Sequence, residues 1–171
     1  MKIGLFFGSF NPIHIGHLII GNIMAETTDI DKVWFVVSPQ NPFKSSGSLL
    51  HEQDRLRMVE LAIDDHAKFN AVDIEFRMPK PSYTIDTMTL LQEKYPNNQF
   101  VLIIGEDNLE HFHRWKNHDK ILEHFELYFY PRPYAKTTEF HEHPKVKRVE
   151  APLLDISATF IRDAIRNGHS V

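Results

Sequence analysis

Short apolar runs that end in turn-forming residues recur along the chain. Ile3-Gly4-Leu5-Phe6-Phe7 stops at Gly8, Val33-Trp34-Phe35-Val36-Val37 at Ser38-Pro39, Phe100-Val101-Leu102-Ile103-Ile104 at Gly105, and Leu127-Tyr128-Phe129-Tyr130 at Pro131. Runs that are apolar on both alternate faces fit strands covered on both sides, as in a parallel sheet. Val72-Asp73-Ile74-Glu75-Phe76 alternates instead, which predicts a more exposed or edge strand. Between the runs, apolar residues fall at helical spacing. Ile20, Ile23 and Met24 form one such set. Leu56, Val59, Ala62 and Ile63 form another, behind the charged stretch His51–Arg55, and Met88, Leu91 and Tyr95 a third, stopped by Pro96. Strands alternating with helices predict βαβ units with right-handed crossovers, hence a Rossmann-like open parallel α/β sheet with helices on both faces. No repeat or long linker divides the chain, so residues 1–171 are expected to form a single domain. The polar, proline-punctuated stretch from Pro131 to Arg148 is expected to be irregular.

Composition narrows the classes. With 171 residues, 42% hydrophobic and 25% charged, the chain has ordinary globular make-up and enough length for one sizeable core. A net charge of −4 argues against non-specific nucleic-acid binding as the main role, while leaving room for a locally positive pocket. There is no cysteine, which removes disulfides, thiolate nucleophiles and Cys-based zinc sites and fits a reducing compartment. The apolar start Met1–Phe7 is too short for a signal peptide, and no segment approaches the roughly 20 apolar residues of a membrane helix. A cytoplasmic protein without membrane or nucleic-acid partners is the expectation.

In open α/β sheets ligands bind beyond the carboxyl ends of the strands. The segments in that position are Gly8–His17, Pro39–Lys44, Gly105–Asp107 and Pro131–Tyr134. In the first, Ser9 and Asn11 are turn formers, Pro12 fixes the backbone, and His14 and His17 share one face if a helix begins about there. Gly16 between them leaves room for a ligand or a neighbouring backbone. Two imidazoles beside a helix N-terminus make a phosphate site, and a bound phosphate would favour their protonated, donating form. The same pair could be half of a metal site, but zinc would need further ligands and the cysteines are absent. Near the other end, Ser157 is a good N-cap for a helix whose buried face would be Phe160, Ile161, Ala164 and Ile165. Thr159, Arg162 and the first N–H groups of that helix would form a second anion site facing the first, although taken alone an ordinary capped amphipathic helix is the better reading. The remaining histidines, among them His111, His118 and His141, form no ligand pattern.

The phrase Gly8–His17, GSFNPIHIGH, resembles the HxGH signature of the nucleotidylyltransferase superfamily. Residues 14–17 also read like the signature of class I aminoacyl-tRNA synthetases, but the lysine-rich second signature and the tRNA-binding module of those enzymes are missing. Ile156-Ser157-Ala158-Thr159-Phe160-Ile161-Arg162 resembles the superfamily's second signature, Ile-Ser-Ser-Thr-x-x-Arg, with Ala158 in place of the second serine. Three further segments are similar to bacterial nicotinate mononucleotide adenylyltransferases. They are Pro81-Ser82-Tyr83-Thr84, Gly105-Glu106-Asp107 followed by Trp115, and Pro131-Arg132-Pro133.

The resemblance implies adenylyl transfer from ATP to nicotinate mononucleotide in NAD biosynthesis. It puts His14, His17, Lys44 and Arg162 in catalysis, and Gly8, Ser9, Phe10, Gly16, Gly105, Asp107, Arg132, Ser157 and Thr159 at ATP. Ser82, Tyr83, Thr84 and Trp115 go to the pyridine mononucleotide, and Mg²⁺ travels with ATP rather than in a protein cage. Ser82 or Thr84 as a helix cap, and Trp115 as a core aromatic, stand beside those roles. Phosphopantetheine adenylyl transfer and a non-catalytic nucleotide-binding module are the other readings, and oligomeric state stays open. The chain departs from the family in having Phe43 where a histidine is common, and in stopping at Val171 where family chains run on.

Overall fold

The computed structural model describes residues 1–40 and 47–171. Its sheet has six strands: β1 Lys2–Gly8, β2 Lys32–Val37, β3 Phe69–Val72, β4 Gln99–Gly105, β5 Glu126–Tyr130 and β6 Val146–Arg148. They lie in the order β3-β2-β1-β4-β5-β6, and every neighbouring pair is parallel. The helices are α1 Ile15–Thr27, α2 Glu52–Ile63, α3 Thr84–Lys94, α4 Glu106–Glu110, α5 His118–His124 and α6 Ala158–Arg166.

The expected alternation of side chains splits the core in two. Ile3, Leu5, Phe100, Leu102 and Ile104 pack on one face with Ile85, Met88 and Leu91 of α3 and Ile121 and Leu122 of α5. Phe6, Val33, Phe35, Val101 and Ile103 pack on the other with Ile20 and Met24 of α1 and Val59 and Ile63 of α2. Both faces of the central strands are therefore covered, which is why their sequences read as unbroken apolar runs. Strand order reverses between β1 and β4, so their carboxyl ends, Gly8 and Gly105, flank the crevice where such sheets take ligands.

Three expectations are corrected. The edge strand read at Val72–Phe76 ends at Val72, and Ile74–Arg77 is a 3-10 turn. β3 does lie at the sheet edge, but the Glu75 side chain turns inward to accept hydrogen bonds instead of continuing the alternation. The stretch from Pro131 to Arg148 is not irregular throughout: Glu139–Glu142 forms a 3-10 turn, and β6 pairs with β5. His141 Nε2 and Glu106 Oε2 lie 3.0 Å apart and tie this segment to the start of α4. The apolar face expected to be buried on α6 is not: Phe160 is 71% exposed and Ile165 56%. Ile161, Ala164 and Arg162 are half-buried while Thr159 is exposed, so the helix packs lightly and the hydrogen bonds of Arg162 help to fix it.

Candidate active site

A cleft of about 500 Å³ opens over the carboxyl ends of β1 and β4. Its walls bring together Gly8, Ser9, Phe10, His14, Gly16 and His17 from the first loop, and Gly105, Asp107 and Arg132 from the loops after β4 and β5. Ser157, Thr159 and Arg162 of the α6 region, and Ser82, Tyr83, Thr84 and Trp115 on the far side, complete it. Lys44 and Phe43 lie outside the described residues.

The first loop is held by reciprocal capping. His14 is the N-cap of α1 and its Nδ1 accepts from the Gly16 N–H at 3.1 Å, while His17 Nδ1 accepts from the His14 N–H at 3.2 Å. The rings stack with centroids 3.8 Å apart. A nitrogen that accepts a backbone N–H cannot carry a proton, so in each neutral ring the proton sits on Nε2. Burial, with the charge of Arg132 adding to it, holds His14 below its ordinary value of 6.5. Gly16 is needed for a reason nearer than a ligand: a Cβ there would come within 2.9 Å of the His14 ring. Phe10, buried under His17 with ring centroids 5.1 Å apart, takes a positive φ of 48°. Such a conformation costs a non-glycine residue about 1–3 kcal/mol and persists only where its surroundings enforce it.

Arg55 is part of that enforcement. Only 1% exposed, it donates to Leu50 O at 2.8 Å, Ser9 O at 2.6 Å, Ser38 O at 2.7 Å and Pro39 O at 3.1 Å. Asn11 adds a second tie, donating to Ser48 O and accepting from the Leu50 N–H. The loops after β1 and β2 are thus clasped from below. Arg55 was legible, though grouped with the charged stretch: with Val59 and Ile63 it continues the buried stripe of α2 by one more turn.

On the second wall, Ser157 caps α6 as expected, its Oγ accepting from the Phe160 N–H at 3.1 Å. Arg162 reaches back to the first loop, with Nη1 2.8 Å from the Asn11 carbonyl and Nη2 3.2 Å from Thr159 Oγ1. Its Nε is buried without a hydrogen-bond partner among the described residues. At the end of β4, a Cβ on Gly105 would sit 2.5 Å from Asp107 Oδ1 and 3.2 Å from Arg132 Cγ, so only glycine lets the acid and the guanidinium fold over the strand end. Burial and the charge of Asp107 push the Tyr130 phenol beside them up to about 12, so it is a neutral hydroxyl.

The far wall is built from the start of α3. Neither Ser82 nor Thr84 is its cap; Tyr83 holds that position without a side-chain bond. Ser82 Oγ donates instead to the buried Glu75 at 2.9 Å. Glu75 was not singled out among the site residues because it sits in the run read as an edge strand. Trp115 is half core and half wall: it packs on Phe112 with centroids 5.2 Å apart and lines the cleft. Next to it, Lys116 Nζ lies 4.8 Å from the Tyr83 ring and 2.9 Å from Asp86, tying the Trp115 segment to the start of α3. Among the described residues no group of three or more His, Cys, Asp or Glu side chains could hold a metal ion, and no helix is long and apolar enough to cross a membrane.

Comparison with known proteins gives a consistent result. A family model described as cytidylyltransferase-like matches residues 5–164. A Cytophaga hutchinsonii protein named "Probable nicotinate-nucleotide adenylyltransferase" is 63% identical over 171 residues, covering 100% of this chain and 89% of that one. A Flavobacterium johnsoniae protein of the same name is 51% identical over 173 residues, covering 100% and 90%. The solved structure of Plasmodium falciparum nicotinic acid mononucleotide adenylyltransferase complexed with NaAD superposes with a TM-score of 0.83 at 22% identity, over 99% of this chain and 86% of that one. At that identity the likeness is one of fold.

Proposed function

Because the chain belongs to the cytidylyltransferase-like family, and within it to the nicotinate-nucleotide adenylyltransferases, we propose that its cleft transfers the adenylyl group of ATP to nicotinate mononucleotide. The 5′-phosphate oxygen of the acceptor attacks the α-phosphorus in line. The bond from that phosphorus to the bridging oxygen breaks, and pyrophosphate and nicotinate adenine dinucleotide leave. The attacking oxygen is already ionised, so no side chain need act as nucleophile or strong base. Catalysis is then positioning and stabilisation of phosphate charge.

The observation that carries this reading is the meeting of two donor-rich walls at one strand crossover, His14 and His17 on one side and Ser157, Thr159 and Arg162 on the other. The Nε2–H groups of His14 and His17 serve the α- and β-phosphates. Arg162, Thr159 and the α6 N-terminus take the leaving pyrophosphate, helped by Lys44. Ser9, Phe10, Gly16 and Gly8 shape the phosphate loop, and Asp107, Gly105 and Arg132 hold the nucleoside end. Mg²⁺ enters as part of the nucleotide, held by phosphate oxygens and water. Tyr83 caps α3 without filling its first N–H groups, which suits the acceptor's carboxylate. Ser82 and Thr84 flank that position, and the Trp115 indole provides a face for the pyridine ring. Residues 1–171 act as one nucleotidyltransferase domain in the cytoplasm.

The test is pyrophosphate release from ATP and Mg²⁺ with nicotinate mononucleotide, nicotinamide mononucleotide or phosphopantetheine in parallel. Release with nicotinate mononucleotide above the other two is expected. Release only with phosphopantetheine, or with none, overturns the reading.

A further inference from the structure

Glu75 belongs to no wall assigned above, yet it is 2% exposed and lies beneath the acceptor side of the cleft. It follows β3 in the 3-10 turn Ile74–Arg77. Each of its carboxylate oxygens has its own donor: Oε1 accepts from Ser82 Oγ at 2.9 Å and Oε2 from Thr87 Oγ1 at 2.7 Å. Those two hydroxyls bracket the first turn of α3, one just before Tyr83 and one a turn inside the helix. Ser38, just after β2, also favours the charged form of the carboxylate. One side chain thus ties the 3-10 turn after β3 to both ends of the first turn of α3.

Burying a carboxylate is costly, and here burial raises its pKa despite the hydrogen bonds from Thr87 and Ser82. Apolar residues of similar volume would hold the same segments together at least as well. What they would not do is fix the direction of two particular hydroxyls, and through them the orientation of the α3 N-terminus. None of Glu75's hydrogen bonds reaches the His14–His17 loop or α6.

We propose that Glu75 is a positioning residue for the acceptor half of the cleft, setting through Ser82 and Thr87 the pose of the Ser82-Tyr83-Thr84 segment that receives the pyridine carboxylate. This rests on the nicotinate mononucleotide reading above. It predicts an effect confined to one substrate, which a general loss of stability would not give.

The experiment is steady-state kinetics, varying each substrate separately, on the wild type, Glu75→Gln, Glu75→Ala, Ser82→Ala, and Glu75→Gln combined with Ser82→Ala. A glutamine can accept from only one of the two hydroxyls, so Glu75→Gln is expected to raise the KM for nicotinate mononucleotide about fivefold. The KM for ATP should stay within about twofold. Glu75→Ala removes both acceptors and is expected to raise the acceptor KM by tenfold or more. Ser82→Ala should raise the KM for nicotinate mononucleotide by a smaller factor on top of Glu75→Gln than it does in the wild type, because part of its effect runs through the Glu75 bond. An unchanged acceptor KM in Glu75→Gln, or a parallel rise in both KM values, overturns the proposal. If Glu75→Ala does not fold, the isosteric Glu75→Gln still decides it. A wild type that uses another acceptor refutes the substrate reading, and the positioning role is then read as the same split on that acceptor. A wild type that uses none removes both.

Discussion

Replacing Arg55 with methionine tests how the loop that carries His14 and His17 is held. The substitution keeps an unbranched, helix-compatible side chain in the buried stripe of α2 and removes every donor. Four backbone carbonyls, those of Ser9, Ser38, Pro39 and Leu50, then lose a partner. A buried acceptor without a partner costs about 1–3 kcal/mol, and more when the lost donor was charged. Against this stands the relief of burying a guanidinium, whose own pKa is pushed down by that burial. Carbonyls at loop ends also regain some water, so the lower half of the range applies to each. The net expectation is a loss of about 3–5 kcal/mol, a large part of the roughly 5–15 kcal/mol that stabilises a domain. Arg55→Lys keeps a charge but offers one nitrogen where the fork reached three segments, and should recover about half of the loss. Urea unfolding followed by fluorescence of Trp34 and Trp115 measures it, with Arg57→Met as the control. Arg57 is on the same helix with a 66% exposed side chain and a 3.6 Å contact to Glu60, and its loss should cost less than about 0.5 kcal/mol. The clasp also predicts a higher KM for ATP in Arg55→Met at temperatures where it is folded. A loss below about 1 kcal/mol would refute the energetic argument. A full loss with an unchanged KM for ATP would refute the idea that the clasp shapes the phosphate loop.

Other consequences can be checked together. His17→Ala should fold, with about 1 kcal/mol less stability for the lost cap on the His14 N–H, and should lose turnover by orders of magnitude; near-parental turnover would remove His17 from catalysis. Gly105→Ala puts a methyl 2.5 Å from Asp107 Oδ1 and should raise the KM for ATP more than that for the acceptor, read from the same kinetics. Because His14 titrates below 6.5 in the folded state, the unfolded chain binds the extra proton first. Stability should therefore fall as pH drops below 6.5 and level off once the folded value is passed. Glu75, raised by burial, acts with the opposite sign. The His14 contribution is thus the difference between wild type and His14→Asn, and a difference independent of pH would refute it.

Much of this architecture was readable because two-sided burial writes a plain signature. β1, β2, β4 and β5 are apolar at successive positions, and the turn residues after them mark the ligand side of the sheet. The edges were not so readable. β6 is three residues long and includes Lys147 and Arg148, the kind of short charged strand that protects a sheet edge and looks like loop in a sequence. Glu75 looked like the polar half of an alternating strand because alternation does not say which way a carboxylate turns. Phe160 and Ile165 made α6 look buried, since periodicity reports that a helix is two-faced but not how far its apolar face is covered. His14 and His17 stood out in sequence, while their reciprocal capping through both Nδ1 atoms is visible only in the fold.

The bond between Arg162 and the Asn11 carbonyl joins residues 151 positions apart. A nascent chain that has completed β1 to β5 has the His14–His17 loop but not the guanidinium that reaches it, so the cleft is complete only once α6 has been made. That helix has no buried residue, and elements so lightly packed open at free energies well below global unfolding. During gentle heating, activity should therefore disappear before the sheet melts, making turnover a more sensitive gauge of damage than any spectroscopic signal from the core.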